Sequence, residues 1–171
     1  IRASRRTDQV VSHTHCYAIE GLLYAYHHFR DEQYLEAAKR AANWLLTAQH
    51  ADGSIAIAYK RKWRDMGRRI VEVIRPRRVS DATSQAIRIW TLLYQLDGNP
   101  AWLRAGERAA NFLGRLQAGT QYGRNARGGF YYWQGHPVLY AWPAMFAAHA
   151  LYRMAQPAEA GHFSELIEEL F

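Results

Sequence analysis

A chain that repeats itself has few folds open to it. Shifted by 68 residues, HCYAIEGLLYAYHHFRDEQYLEAAKRAANWLLTAQH (15–50) aligns with TSQAIRIWTLLYQLDGNPAWLRAGERAANFLGRLQA (83–118), and eleven of the 36 positions are identical. Arg40-Ala41-Ala42-Asn43 recurs as Arg108-Ala109-Ala110-Asn111, and Leu45 and Gln49 recur as Leu113 and Gln117. Tyr34 corresponds to Trp102, and Trp44 to Phe112. A third, shorter copy runs from YAWPAMFAAHALYRM (140–154) into EAGHFSELIEELF (159–171). Self-similarity at a fixed period marks a repeated supersecondary unit whose neighbours must stack to bury a shared core.

Each unit reads as two helices. In the second helix of unit one, Tyr34, Ala38, Ala41 and Leu45 fall on one stripe, while Glu32, Glu36, Lys39 and Arg40 fall away from it, so one side faces water. Asp31 is placed to cap that helix, as Asn99 is in unit two, with Pro100 at the first helical position. The first helices, roughly 15–30, 83–97 and 139–154, carry few charges beyond their starts and are expected to be enclosed by neighbours. The order is therefore enclosed helix, short turn, outer helix, long return segment. The return segments, 50–79 and 118–138, both lead to the N-terminal ends of enclosed helices, which places them on one face of the molecule. Within the first of them, RRIVEVI (68–74) fits a short strand or hairpin arm. The expected class is all-α, built of about three hairpins in a single domain over 1–171.

Charge is distributed unevenly. YKRKWRDMGRRIVEVIRPRR (59–78) holds nine basic side chains against Asp65 and Glu72, and so carries the whole net charge of +7. The run is interleaved with Trp63, Met66, Ile70, Val71, Val73 and Ile74, so part of it is expected to pack down on the fold. The 23 aromatic residues argue for a packed globule. No apolar run reaches the length of a membrane span. A single cysteine, Cys16, excludes an internal disulfide and a cysteine-based zinc site, and leans the compartment toward the cytoplasm. The chain begins at Ile1 and not at a methionine, so a leader or an earlier domain is expected to be missing.

Hairpins at this spacing resemble the (α/α) toroids: the six-hairpin glycosidases, the uronate lyases and epimerases, and the squalene cyclase and prenyltransferase-like domains. QHADGSI (49–55) resembles the turn repeat of the terpene cyclases, with Ile55 where that repeat has Trp. HTHCYAIEGLLYA (13–25) is similar to a stretch of toroid domains in bacterial polysaccharide-associated proteins, and GGFYYW (128–133) resembles their Gly-Gly-aromatic loop. The resemblance implies a fold more firmly than a function, because unrelated chemistries share the scaffold. A closed toroid of this kind has about six hairpins. Three imply a half-toroid: the C-terminal part of a larger protein, a homo-oligomer, or an open arc.

Toroids of this kind present ligands at the ends of the inner helices, where free N–H groups and the positive dipole end favour anions. The candidates there are His13, Tyr17 and Glu20 from unit one, Asp81 and Gln85 from unit two, and Tyr132, Trp133, His136, Tyr140 and Trp142 around unit three. We assign His13, Tyr17, Glu20, Asp81, Tyr132 and His136 to catalysis. Trp63, Arg64, Arg68, Arg69, Gln85, Trp133, Tyr140 and Trp142 are assigned to substrate. Each has a plainer reading as well. Asp81, Thr83 and Ser84 suit helix caps, Tyr17 and Glu20 suit a bond to each other, and the basic run suits a solvated face. His27, His28, Trp44, Trp90 and Trp102 are read as structural, and Cys16 as a small buried residue. His13 and His15 sit at chelating spacing, but a third ligand would have to come from His136 or Asp81, so no metal is assigned and no cofactor is expected.

Guanidinium groups over a dipole-positive face suit carboxylates, and Tyr and Trp faces suit sugar rings. The expected partner is an acidic, uronate-containing polysaccharide. Proton abstraction beside the carboxylate, leading to β-elimination or C5 epimerisation, fits these side chains best. Glycoside hydrolysis would need two facing carboxylates, and only Glu20 and Asp81 are available. A non-catalytic glycan-binding or biosynthetic module would keep the aromatics and arginines without a His/Tyr pair. A nucleic-acid partner is not expected, since the charge lies in one connection and no nucleic-acid motif is present. A terpenoid cyclase would need an Asp-rich motif that is missing here.

Overall fold

The structure is a computed structural model; it describes residues 9–63, 69–136, 138–155 and 163–168, with backbone alone at 61–63, 69–74, 122, 165 and 166. The chain is mostly helical, with one small sheet. Strand β1 (Gln9–Val11) runs into α1 (Ser12–Phe29), which turns into α2 (Glu32–Ala48). Strands β2 (Ala56–Trp63) and β3 (Arg69–Arg78) precede α3 (Ser80–Asp97) and α4 (Pro100–Leu116). A short α5 (Gly123–Ala126), then α6 (Ala141–Ala155) and α7 (Phe163–Glu168), complete the order.

The repeat is the scaffold. α1 packs with α2 and α3 with α4, each as an antiparallel pair, and α1 and α6 both lie against α3. The caps follow the residues. Asp31 accepts from the Gln33 N–H at 2.9 Å, and Asn99 accepts from the Ala101 N–H at 3.0 Å. α1 ends on Arg30 with φ 56°, and α3 on Gly98 with φ 65°, both in the left-handed conformation that closes a helix. α3 is the centre of the molecule: every residue from Ser80 to Leu93 is buried. Trp90, Ile87 and Leu92 are sealed within the core, and Trp102 of α4 closes over it. Each such side chain contributes about 1.5–3 kcal/mol by leaving water.

The turn after α2 shows why a glycine is needed at one position. Gly53 has φ 89°, and a Cβ there would overlap the Arg108 carbonyl of α4. The Gln49 amide donates to the Gly53 carbonyl at 3.1 Å and to the Ala105 carbonyl at 2.9 Å. The first hairpin is thereby tied to the second by the Gln49 side chain on a backbone carbonyl.

Two features differ from expectation. The first return segment is not a loop with one strand arm. β1, β2 and β3 form an antiparallel sheet in the order β1-β2-β3, with β1 supplying only three residues. The class is thus mostly helical with a small sheet and not strictly all-α. The β-branched residues of Ile70-Val71-Glu72-Val73-Ile74 favour the pleat, and pairing with β2 satisfies one edge of its backbone. The third unit also departs from the pattern. α7 packs on α3 and on the C-terminal end of α1, not alongside α6 as α2 lies along α1. Phe163 meets Tyr26 at 6.0 Å and His27 at 6.1 Å, and Glu168 reaches His27 at 3.3 Å.

Both return segments do meet on one face. Val79, at the end of the first, bridges Trp133 in the second, and the Ser80 N–H donates to the Tyr132 carbonyl at 2.9 Å. That face holds the N-terminal ends of α1, α3 and α6. No described helix is long and apolar enough to cross a membrane.

Candidate functional site

His13 lies in the first turn of α1, which Ser12 fixes to the sheet by donating to the Ala56 carbonyl at 2.6 Å. Its Nδ1 is 3.4 Å from Oδ2 of Asp81 in the first turn of α3. The Asp81 side chain is 2% exposed and that of His13 is 29% exposed, so the carboxylate lies behind and the imidazole reaches the surface. Tyr132, from the second return segment, interacts with the same carboxyl. Burial raises Asp81 above the usual carboxylate range, against the stabilising N–H groups of the helix start and His13. Burial, reinforced by the Asp81 charge, pushes the Tyr132 phenol up to about 12. The arrangement is a histidine backed by a carboxylate, with a phenol that stays protonated beside them.

Two turns deeper, Glu20 of α1 meets Arg88 of α3 at 3.1 Å, and Gln85 donates to the other Glu20 oxygen at 3.3 Å. Burial pushes Glu20 up and Arg88 down, and each charge opposes the shift of the other. Arg88 also lies 5.1 Å from the Phe146 ring of α6. These groups form a polar floor beneath the His13 dyad.

Around the dyad runs a collar of rings. His13 is 4.6 Å from Tyr17, 5.7 Å from Trp142 and 5.9 Å from Phe146. Trp142 is 5.1 Å from Tyr132, which is 5.0 Å from Trp133. Beyond Trp133 come His136 at 4.0 Å and then Tyr140, 5.4 Å from His136. Tyr17, Tyr140 and Trp142 are exposed. Burial raises Tyr17 too, with a further push from the Glu20 charge. The guanidinium of Arg77, at the end of β3, lies 4.7 Å over the Trp133 ring.

Of the residues singled out in the sequence, His13, Tyr17, Asp81, Tyr132, Trp133, His136, Tyr140 and Trp142 converge on this mouth. His136 is not at the dyad; it flanks Trp133, with Nδ1 2.9 Å from the Val138 carbonyl. Glu20 and Gln85 lie beneath the mouth, 2% and 0% exposed, each bonded within the protein. Arg64 and Arg68 lie outside the described residues. Trp63 and Arg69 are placed by their backbone in β2 and β3. The cap reading of Asp81, Thr83 and Ser84 gives way to another arrangement. The α3 cap is Val79 with no side-chain bond, while Thr83 and Ser84 donate back to the Val79 and Ser80 carbonyls. His15 turns away from His13 and bonds the Ala41 carbonyl at 3.1 Å, stacked edge-on with Trp44. Among the described residues no group of three His, Cys, Asp or Glu is placed to hold a metal.

Three residues escaped the sequence reading. Arg88 carried a signal: a lone charge between Ile87 and Ile89, 68 positions after Glu20. Arg77 was one of nine basic residues with nothing to single it out. Phe146 looked like any apolar residue of α6. No family model matches the chain, and no curated protein matches it.

Proposed function

We propose that the chain is part of an (α/α) toroid that takes an acidic, uronate-containing polysaccharide and abstracts the proton at C5, as a lyase or C5-epimerase does. The observation that carries the reading is the His13–Asp81–Tyr132 constellation at a mouth lined with exposed aromatic rings. The repeat, with inner-helix starts gathered on one face, supports the toroid.

The roles follow from the chemistry of each group. With Nδ1 turned to Asp81, His13 keeps Nε2 for the substrate, and the carboxylate steadies the imidazolium that forms on proton transfer. The uronate carboxylate lies toward the start of α1, which has no acidic residue in its first turn and no side-chain cap. There its charge is stabilised and the neighbouring C–H is acidified. In elimination, His13 takes the C5 proton, the electron pair forms the C4–C5 double bond, and the C4–O bond breaks. The leaving oxygen takes a proton from Tyr132 or Tyr17. In epimerisation the C4–O bond stays, and the phenol returns a proton to the opposite face of C5. Hydrolysis fits less well, because Glu20 is held by Arg88 and Asp81 faces His13.

Incubation with alginate-type and glucuronan-type oligomers tests this. Elimination yields an unsaturated product that absorbs in the ultraviolet, and epimerisation in heavy water exchanges the C5 hydrogen. One of these is expected of the parent chain, with His13→Ala binding the same oligomer without turning it over. Binding with neither reaction would make the protein a glycan-binding module. Absence of binding would remove the polysaccharide reading altogether.

A further inference from the structure

We infer that Arg77 and the Trp133 ring beneath it form a subsite for the carboxylate of a second acidic sugar, on the same chain as the one that faces His13. The inference rests on the reaction proposed above and deepens it by assigning where selection for an acidic chain is made.

Adjacent arginines at the end of β3 behave differently. Arg78 is committed to the fold: it lies 3.5 Å from Asp52 and 3.2 Å from Nδ1 of His50. Arg77 is exposed, and among the described residues no carboxylate pairs with it. Its partner is the Trp133 face, 4.7 Å from the guanidinium carbon. A guanidinium stacked on an aromatic face keeps its N–H edge free in its own plane, where a carboxylate accepts two parallel hydrogen bonds. The ring also orders the long side chain in advance, which lowers the entropy lost when a ligand binds.

The ring itself is held by backbone. Trp133 bridges Val79, its carbonyl accepts from the His136 N–H at 3.0 Å, and the preceding carbonyl, of Tyr132, accepts from Ser80. Arg77 and Trp133 are thus positioned by the same crossing of the two return segments that brings Tyr132 to Asp81. From Trp133 the rings step to Tyr132 at 5.0 Å, to Trp142 at 5.1 Å and to His13 at 5.7 Å. A sugar chain laid along these rings meets Arg77 at one end and the dyad at the other, with different sugars of the same chain.

The test uses the full chain with tetramers of glucuronate and of mannuronate, and with their carboxyl-reduced neutral counterparts. Arg77→Met keeps the aliphatic stem on Trp133 and removes the charge. We expect it to weaken binding of the acidic tetramer the parent prefers by at least about tenfold, the loss of a charge-assisted bidentate contact. Binding of the neutral counterpart should not change, and Arg77→Lys should fall between. Arg75→Met, at an exposed position two residues earlier, should match the parent. If Arg77→Met binds the acidic tetramer as tightly as the parent, or loses neutral and acidic binding equally, the subsite is overturned while the proposed function stands. If the parent binds neither acidic tetramer, both fall together.

Discussion

α1 and α3 are copies of one pattern set 68 residues apart, yet they live in different surroundings. α3 is enclosed along fourteen consecutive residues, whereas α1 leaves Tyr17 and Tyr24 in contact with water. Where the copies touch, equivalent positions face each other. His13 corresponds to Asp81 and meets it at 3.4 Å; Glu20 corresponds to Arg88 and meets it at 3.1 Å. Identical residues at such positions would set like charge against like. Divergence of the two copies at the contact is therefore what lets the repeat pair with itself: the backbone is duplicated, and the complementary side chains come from the differences.

The largest effect should come from breaking the deeper pair. Arg88→Met strands the Glu20 carboxylate in the core and should cost about 3–5 kcal/mol in urea unfolding. Adding Glu20→Gln to it should recover much of that loss, since the stranded charge disappears. If the two changes simply add, the equivalent positions are not coupled, and the comparison between the helices loses its physical basis. Next is Leu92→Ala. Leu92 is 1% exposed on α3, so the truncation leaves a cavity and should cost about 2–5 kcal/mol by the same measurement.

At the mouth the effect is on rate. On the proposed reaction, His13→Ala should lower turnover at least about a hundredfold with little change in unfolding, because the side chain is partly in water and acts as a base. A loss confined to KM would instead mark His13 as a binding group.

The hairpins and their caps were legible because they are local. The stripe Tyr34, Ala38, Ala41, Leu45, the cap Asp31 and the pair Asn99-Pro100 each act within a turn or two of helix. The mouth was legible as a set of helix starts. What stayed hidden was long-range. Arg88 stands out in the sequence as a lone charge at the position equivalent to Glu20, but that the two would pair depends on how closely two helices approach. β1 was invisible because three residues carry no period, and its partner β2 is rich in charge. α7 was read as a helix, but its docking site on α1 and α3 is a matter of shape.

Asp81 sharpens the comparison through pH. Burial raises its folded value above the ordinary 3.8. A carboxyl raised on folding contributes its full stability below about 3.8, and that contribution is lost as pH climbs through the folded value. Glu20 behaves in the same direction from 4.5. Asp81→Asn removes the first of these dependences. Its thermal midpoint should gain on the parent as pH rises from acid toward neutral, and the gap should narrow again on the way down. Parallel curves for the two proteins would mean that the buried carboxyl carries no such burden, and that α1 and α3 do not share it.

The smallest expected effect is the one that most directly separates the two helices. Tyr24 occupies on α1 the position that Leu92 occupies on α3, but it is 42% exposed. Tyr24→Ala removes more atoms than Leu92→Ala, yet nearly half of that surface is already hydrated, so the truncation should cost about 1 kcal/mol, less than Leu92→Ala. The difference between the two equivalent truncations then measures what a neighbouring helix adds to one copy and not to the other. A cost near that of Leu92→Ala would mean that the Tyr24 face is covered in solution. If that cost also grew with protein concentration, the cover would be a second molecule, and α1 would be as enclosed in the assembly as α3 is within one chain.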